Sequence, residues 1–357
     1  MRIMHVLNHT HRLNGHVHAV VDVACEQSRL GHNVCIASGG GDFDDVLTAN
    51  DVAIRHLPHE RRMPAILRSI IMLGRFLKEW RPDVVHAHTM DSAVLAYLVC
   101  KLTGTPMVTT VHDEFETGAA LMGLGARVIA VSDAVGKSMR DRGISEQKLR
   151  VVLRGTIGAA RYAGHDRVAA DLRHPNIVFV GGLHPRKGLP YLLEAFGEIL
   201  VLHPDAWLYV VGAGPMEGYY RRMAVELRCA GNSVFVGSLD DPRPYMLAAD
   251  VFVLPSLSDP APLVISEARE AGCAVVGTDV GGIPQLLEFG EAGMLVPPQE
   301  PQVLARVLAE LLGNRQALDS WRTRSQYHIE SMSVERVARE TVSVYQSIGG
   351  GEASPGL

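Results

Sequence analysis

The residues of this chain best suited to chemistry stand where apolar runs end. Val178-Phe179-Val180 runs into Gly181-Gly182, and Arg186-Lys187 follow just before a helical pattern that opens at Gly188. Loop amides, a helix N-terminus and two adjacent cations together make an anion site. Solvated surface charge is the plainer reading of an Arg-Lys pair. Its place at the carboxyl end of a buried strand favours the anion site, because open α/β sheets bind ligands there. A second pair, Asp259 and Glu267, stands eight positions apart, with Asp259 in a Pro-rich turn and Glu267 on the helix that leaves it. Carboxylates accept paired hydrogen bonds from vicinal hydroxyls, which suits sugar recognition. Ile265 and Ala268 beside Glu267 predict a partly buried face, where a carboxylate needs a partner.

Two glycine loops follow apolar runs. Gly281-Gly282 precedes Pro284, a suitable first helical residue, and glycine permits close backbone approach to a phosphate; an ordinary β–α turn is the alternative. Gly212-Ala213-Gly214 resembles a dinucleotide fingerprint, but Pro215, Met216 and Glu217 follow and the third glycine is missing, so dinucleotide binding is not expected. In the first half, Asn14-Gly15-His16, His86, His88 and His112-Asp113-Glu114 all follow expected strands. They predict a polar wall at one sheet edge that contacts hydroxyls or a leaving group. The fixed offsets of a zinc site are absent, so no metal is expected. Between Glu60 and Arg81, the bases Arg61, Arg62, Arg68, Arg75, Lys78 and Arg81 outnumber Glu60 and Glu79, over an apolar side of Ile66, Ile70, Ile71, Leu73, Phe76 and Leu77. A covering helix with a solvated face is the first reading, and contact with an anionic membrane surface is the second.

The elements that must position these groups alternate. Strands are expected at Ile3–Leu7, Asn33–Ser38, Val52–Leu57, Val84–Ala87, Met107–Val111, Val128–Val131 and Val151–Leu153. Helices are expected at His16–Leu30, Pro64–Trp80, Ser92–Thr103 and Asp133–Arg142. Residues 155–174 break this rhythm, and it restarts at Asn176–Val180. Strands at Ala206–Val211, Ser233–Val236, Val251–Leu254 and Cys273–Gly277 then alternate with helices at Gly188–Leu202, Met216–Cys229, Asp241–Ala249 and Leu263–Ala271. Helices at Gln302–Leu312 and Val334–Ile348 complete the pattern. Repeated β–α alternation predicts parallel, doubly wound sheets.

With 357 residues, two domains are the natural expectation. The boundaries are set at 1–165 and 172–330, with a C-terminal helix at 333–348 and a disordered tail at 349–357. Hydrophobic residues make up 47% and charged residues 20%, as in a well-packed protein. The net charge of −5 carries no nucleic-acid signature. Cys25, Cys35, Cys100, Cys229 and Cys273 are scattered without a CxxC, which predicts buried thiols in a reducing compartment. The apolar run at the N-terminus is too short for a signal peptide, and no uncharged stretch reaches ~18 residues. A cytoplasmic protein is expected, with the basic helix as the one segment that would take it to the inner membrane face.

Taken together, these residues resemble the family-4 retaining glycosyltransferases of GT-B fold (glycosyl transferases group 1). The resemblance rests on NIVFVGGLHPRKGLPYLLEAF from Asn176, LYVVGAGP from Leu208, VFVGSLDD from Val234 and ADVFVLPSLSDPAPLVISEAREAGCAVVGTDVGGIPQLL from Ala249. VVHAH, VTTVHD and VIAVSDAV match in kind in the first half. The resemblance implies two Rossmann-like domains facing a central cleft, with a nucleotide-diphosphate sugar bound mainly by the second and a hydroxyl acceptor entering from the first. UDP-sugar is the favoured donor and GDP-sugar the alternative. No cofactor or metal is implied, because cations and amides neutralise the diphosphate. Lys187 matches the diphosphate lysine, Glu267 the acid on the donor ribose, Gly15 the phosphate-approaching glycine and His112 the histidine near the donor sugar. Gly182, Arg186, Gly212, Ser238, Leu239, Leu263 and Val264 complete the implied donor site.

Two departures stand out. The family usually has Arg where this chain has Gly182, and Arg186 is the candidate replacement. The first acid is Asp259 instead of Glu, followed by Pro260-Ala261-Pro262 in place of Gly-Phe-Gly. Altered donor geometry or weaker catalysis would follow from either. An active enzyme is still expected, since Lys187, Glu267 and the glycine loops remain. A sugar epimerase, a sugar phosphorylase and an inactive binding subunit stay open as alternatives. Donor base, acceptor and oligomeric state are not encoded in these motifs.

Overall fold

The computed structural model describes residues 1–12, 14–58, 62–115 and 118–348. The expected tail at 349–357 and the opening residues Glu60 and Arg61 of the basic segment lie outside them. The chain divides into two compact units, split between Ala163 and Gly164, and it returns to the first unit at Met332.

The first unit contains β1 (Arg2–Val6), α1 (Gly15–Arg29), β2 (Asn33–Ser38), α2 (Asp44–Ala49), β3 (Ala53–His56), α3 (Met63–Trp80) and β4 (Val84–Ala87). It continues with α4 (Met90–Thr103), β5 (Met107–Val111), β6 (Arg127–Ala130), α5 (Asp133–Asp141) and β7 (Leu149–Val151). The second unit contains β8 (Asn176–Val180), α6 (Leu189–Leu202), β9 (Trp207–Val211), α7 (Glu217–Glu226), β10 (Ser233–Gly237), α8 (Arg243–Leu247) and β11 (Val251–Leu254). It is completed by α9 (Leu263–Glu270), β12 (Ala274–Thr278), α10 (Ile283–Leu286), β13 (Met294–Val296), α11 (Pro301–Gly313) and α12 (Arg315–Arg324). The last helix, α13 (Val334–Gln346), belongs to the first unit.

The first sheet has seven strands in the order β3-β2-β1-β4-β5-β6-β7, and the second has six in the order β10-β9-β8-β11-β12-β13. Every strand pairing is parallel. Strand order reverses between β1 and β4 in the first sheet and between β8 and β11 in the second. Loops leaving the two central strands diverge there and open a crevice at the carboxyl edge. The sequence reading places the Arg186-Lys187 loop and the Asp259 turn on β8 and β11, the pair that flanks the second reversal.

The helices form for recognisable local reasons. α4 opens with a capping box between Thr89 and Ser92 and ends at Gly104 in the left-handed region. α5 is capped by Ser132, whose hydroxyl accepts from the Val135 amide. α3 ends at Arg81, held at φ 48°, before Pro82. Val17, Val20, Val21 and Ala24 of α1 pack with Leu7, Val34 and Ile36 on one side of the first sheet. Beside α1 on the same side, Val337, Val342, Val344 and Tyr345 of α13 pack on Ile3, Val84, Val108 and Ile129. In the second unit, α6 buries Leu192, Leu193, Phe196 and Ile199. The five cysteines are buried and form no disulfide.

Candidate functional site

Three loops converge on Asp259. After β8 the chain makes a short 3-10 turn, Pro185–Lys187, and Gly188 follows at φ +68°. A Cβ at Gly188 would stand 1.8 Å from the Pro255 carbonyl oxygen, so only glycine lets this loop lie on the loop after β11. The Leu257 amide donates to the Arg186 carbonyl at 2.8 Å and joins the two loops. Lys187 Nζ then reaches Asp259 Oδ2 at 2.5 Å, with Ser256 Oγ 3.4 Å from the same oxygen. The pair is largely removed from water, with 14% of the lysine and 6% of the aspartate side chain exposed. The third loop, after β12, brings the Gly282 amide to the Asp259 carbonyl at 2.9 Å. At Gly281, φ is +56° and a Cβ would lie 2.0 Å from that carbonyl oxygen. In the structure these glycines let the loops approach one another's backbone closely, as in the ordinary β–α turn that was the alternative reading of Gly281-Gly282. They hold Asp259 in place.

Gly212 has a similar explanation. Its amide donates to the Gly237 carbonyl at 2.8 Å, and a Cβ there would lie 2.0 Å from the Gly181 carbonyl oxygen. Gly214 packs against the Leu183 backbone in the same way. The loops after β8, β9 and β10 are thereby stitched together. Gly182 is half-buried and Arg186 is exposed. Ser238 and Leu239 are exposed at the end of β10, the edge strand of the sheet.

Glu267 lies on α9 with only 3% of its surface exposed. Leu263 and Val264 open that helix, whose N-cap Pro262 supplies no capping side chain. First-turn amides have no partner within their own helix, so they present a positive edge. A buried carboxylate, a helix N-terminus and a lysine thus lie along the loops of β8 and β11, suited to a ligand with both hydroxyls and negative charge. A cavity of about 770 Å³ in this unit lies at the amino ends of β8 and β11, where His174 and Arg322 are already paired with Asp250.

The first unit brings its histidines together but not as an exposed wall. Gly15 is exposed at the start of α1, and His16, His112 and Asp113 are half-buried at the loop edge. His86, His88 and Glu114 are buried at 2%, 5% and 6%. The physical reason is register: His86 lies within β4, directly opposite His5 of β1, so both rings are enclosed under the loops. The rings of His16 and His112 stand 5.8 Å apart beside a cavity of about 40 Å³ that Thr89, Thr110 and Asp113 also line. Burial, with help from Arg154, pushes His16 down to about 4. Burial and the Arg154 guanidinium hold His112 well below the usual histidine range.

His5, Gln27, Arg154 and Tyr345 carry no role in the sequence reading, yet each touches this cluster. The only available signal is His5, a polar residue inside the apolar run of β1. One nitrogen from each of His5, His86 and His88 comes within 4.8 Å of the others, close enough to consider an ion. All six ring nitrogens of these three residues already have a partner 2.6–3.1 Å away.

Comparison with known proteins matches two family patterns to successive parts of the chain. The one described as Glycosyltransferase Family 4 matches residues 13–156, and the one described as Glycosyl transferases group 1 matches residues 174–314. The chain is 29% identical over 301 residues to a glycogen synthase of Mycobacterium tuberculosis, spanning 78% of this chain and 72% of the relative. It is 28% identical over 309 residues to a phosphatidyl-myo-inositol mannosyltransferase of the same organism, spanning 78% of each. Among solved structures, Anabaena Alr3699/HepE in complex with UDP-glucose superposes with a TM-score of 0.81 at 18% identity, over 97% of this chain and all of that one (100%). That likeness shows the GT-B fold.

Proposed function

The chain belongs to the family-4 glycosyltransferases, and we propose that it is a retaining, metal-independent member that moves a hexose-type sugar from a nucleoside-diphosphate sugar to a hydroxyl acceptor. The observation that carries this reading is the junction of the β8 and β11 loops. There Lys187, the first-turn amides of α9 and buried Glu267 offer a cation, hydrogen-bond donors and a carboxylate able to accept from a diol. Lys187, Arg186 and the Leu263 and Val264 amides neutralise the departing diphosphate, and Glu267 takes the ribose hydroxyls. Gly182 leaves room for the phosphates where the family's usual arginine is missing, and Gly212, Ser238 and Leu239 border the nucleotide. Asp259 orients Lys187 and stands toward the transferred sugar. To the first unit we assign the acceptor, the Gly15 loop and a sugar contact at His112. The reaction keeps the anomeric configuration because the leaving phosphate oxygen takes the acceptor proton on the face it departs from, which needs no protein nucleophile. UDP-sugar is the favoured donor, in line with the neighbouring structure that holds UDP-glucose.

A thermal-shift screen against UDP-, GDP-, ADP- and dTDP-sugars tests the donor. A UDP-sugar at ~100 times its Kd stabilises the fold by about 2.7 kcal/mol, and the other three do less. Nucleotide is then released only when an acceptor is supplied. Release without acceptor, or isomerised sugar, favours the epimerase or phosphorylase reading, and binding with no turnover favours an inactive subunit.

Among the described residues no helix is long and apolar enough to cross a membrane. α3, however, leaves Met63, Leu67 and Ile71 exposed at 77%, 58% and 50%, flanked by exposed Arg62, Arg68, Arg75 and Lys78. Apolar side chains beside a basic face suit an anionic bilayer surface, so we assign α3 to peripheral membrane contact at the cytoplasmic face. The protein is expected to co-sediment with phosphatidylserine-containing vesicles at low salt and to leave them at high salt, with no binding to neutral vesicles. Equal recovery from both vesicle types removes the assignment.

A further inference from the structure

Beneath the loop edge of the first unit, buried polar groups form one continuous hydrogen-bonded chain whose direction can be read. Arg154 Nη2 donates to His112 Nδ1. A guanidinium has no acceptor, so His112 Nδ1 carries a lone pair and the ring proton is on Nε2. His112 Nε2 stands 3.1 Å from His88 Nδ1, which must therefore accept. His88 Nε2–H then donates to His5 Nδ1 at 2.8 Å, and His5 Nε2–H donates to Gln27 Oε1 at 2.8 Å. The opposite polarity would aim an N–H of His112 at the guanidinium. Beyond Gln27 the same direction continues on a separate branch. Its amide nitrogen is 3.4 Å from Tyr345 Oη, which lies 2.6 Å from His86 Nδ1, and His86 Nε2 lies 2.6 Å from Thr110 Oγ1. Burial supports uncharged rings throughout: His5 is pushed down to about 4, and His86 and His88 lie well below the ordinary value.

We propose that Gln27, His5 and His88 are positioning residues for His112, holding its ring uncharged in the Nε2–H tautomer with Nδ1 committed to Arg154. Both nitrogens of His112 are then engaged within the protein. His112 meets its ligand as a fixed, neutral ring and as the anchor of the Arg154 cation, and it does not take the acceptor proton. All four residues that set this state come from other parts of the unit than the loop after β5 that carries His112: Gln27 from α1, His5 from β1, His88 from the loop after β4 and Arg154 from the segment after β7. The kinetic part of this proposal rests on the reading of His112 as a sugar-side residue, and the tautomer assignment stands apart from it.

Nitrogen-15 spectra of histidine-labelled protein report the tautomer directly, with resonances assigned by single His→Asn variants. At pH 7, His112, His88 and His5 are expected as neutral Nε2–H rings. Gln27→Leu removes the terminal acceptor, and the His112 signals should move toward a mixture of tautomers. In the same variant kcat should fall roughly 10-fold with the donor KM unchanged, the scale typical of groups that orient a site residue. Tyr345→Phe is the control. It deletes buried hydrogen bonds on the His86 branch and leaves the branch to His112 intact, so the His112 tautomer and kcat should stay native. An Nδ1–H tautomer or an imidazolium at His112 in the native protein overturns the proposal, and this outcome remains readable if Gln27→Leu does not fold. Equal kcat losses in both variants with an unmoved His112 tautomer overturn it as well. A changed tautomer with native kcat upholds the chain and removes only the sugar-side reading of His112.

Discussion

Lys187→Ala is expected to slow glycosyl transfer by roughly 100- to 1,000-fold, the scale on which a preorganised donor to a developing negative charge acts. Its ammonium is the cation that the β8 loop holds at the switch point of the second sheet, and it stands 2.5 Å from Asp259. The variant also strips a partner from a carboxylate that is 4% exposed. Breaking a buried pair on one side costs about 3–5 kcal/mol, so part of the loss could be unfolding. The double variant Lys187→Ala/Asp259→Ala separates the two effects. With no buried charge left unpaired, its melting temperature should recover much of the loss while transfer stays low. Transfer at the native rate by a folded Lys187→Ala protein would sink the assignment of Lys187.

The second large effect is acid sensitivity confined to the first unit. His5 and His16 titrate near 4 in the folded chain, against about 6.5 when unfolded. The folded-state values are depressed, so the unfolded chain binds more protons as pH falls. The stabilising contribution is fully present above about 6.5 and is lost progressively toward about 4. At pH 5 each of these two rings removes on the order of 2 kcal/mol, and His86, His88 and His112 act in the same direction. The groups facing them do not offset this. Gln27, Thr110 and Tyr345 are uncharged, and Arg154 repels a second positive charge. In the second unit His328 shifts the other way, raised by its hydrogen bond to Glu288, so protonation there favours the fold. The tryptophans allow the units to be observed separately, since Trp80 lies in the first and Trp207 and Trp321 in the second. In a Trp207→Phe/Trp321→Phe variant, the urea midpoint from Trp80 fluorescence should fall steeply between pH 7 and 5. A midpoint independent of pH over that range would show that these rings are accessible to protons in the fold.

Much of the architecture was legible because its signals are local. Val251–Leu254 reads as a buried strand from an unbroken apolar run, Asn176–Val180 and Met107–Val111 from short runs rich in apolar and β-branched residues, and each is a strand with those limits. Helical spacing admits either Ile199 or Leu200 as the continuation of the α6 face of Leu192, Leu193 and Phe196; Ile199 takes the buried place and Leu200 is half-exposed. The strand expected at Val151–Leu153 runs earlier, at Leu149–Val151. Elements were missed where the local signal is weak. α2 is a six-residue helix, β13 has three residues, and α12 is a polar helix started by an Asn314 cap.

The polar groups divide along the same line. A pair of cations in the loop after β8 and an acid on the helix after β11 follow from residue type and strand position, which the sequence by itself determined. It also determined the β–α order and therefore the parallel sheets. Only the tertiary structure decided that Lys187 pairs with Asp259, that Gly281 packs on backbone, and that the histidines lie under the loop edge. Gln27 and Tyr345 meet from 318 positions apart, and His86 and Tyr345 from 259. A helix or strand declares itself through neighbours a few residues away. A buried hydrogen bond between distant positions leaves no local mark, because its partner is chosen by how the sheets and helices stack.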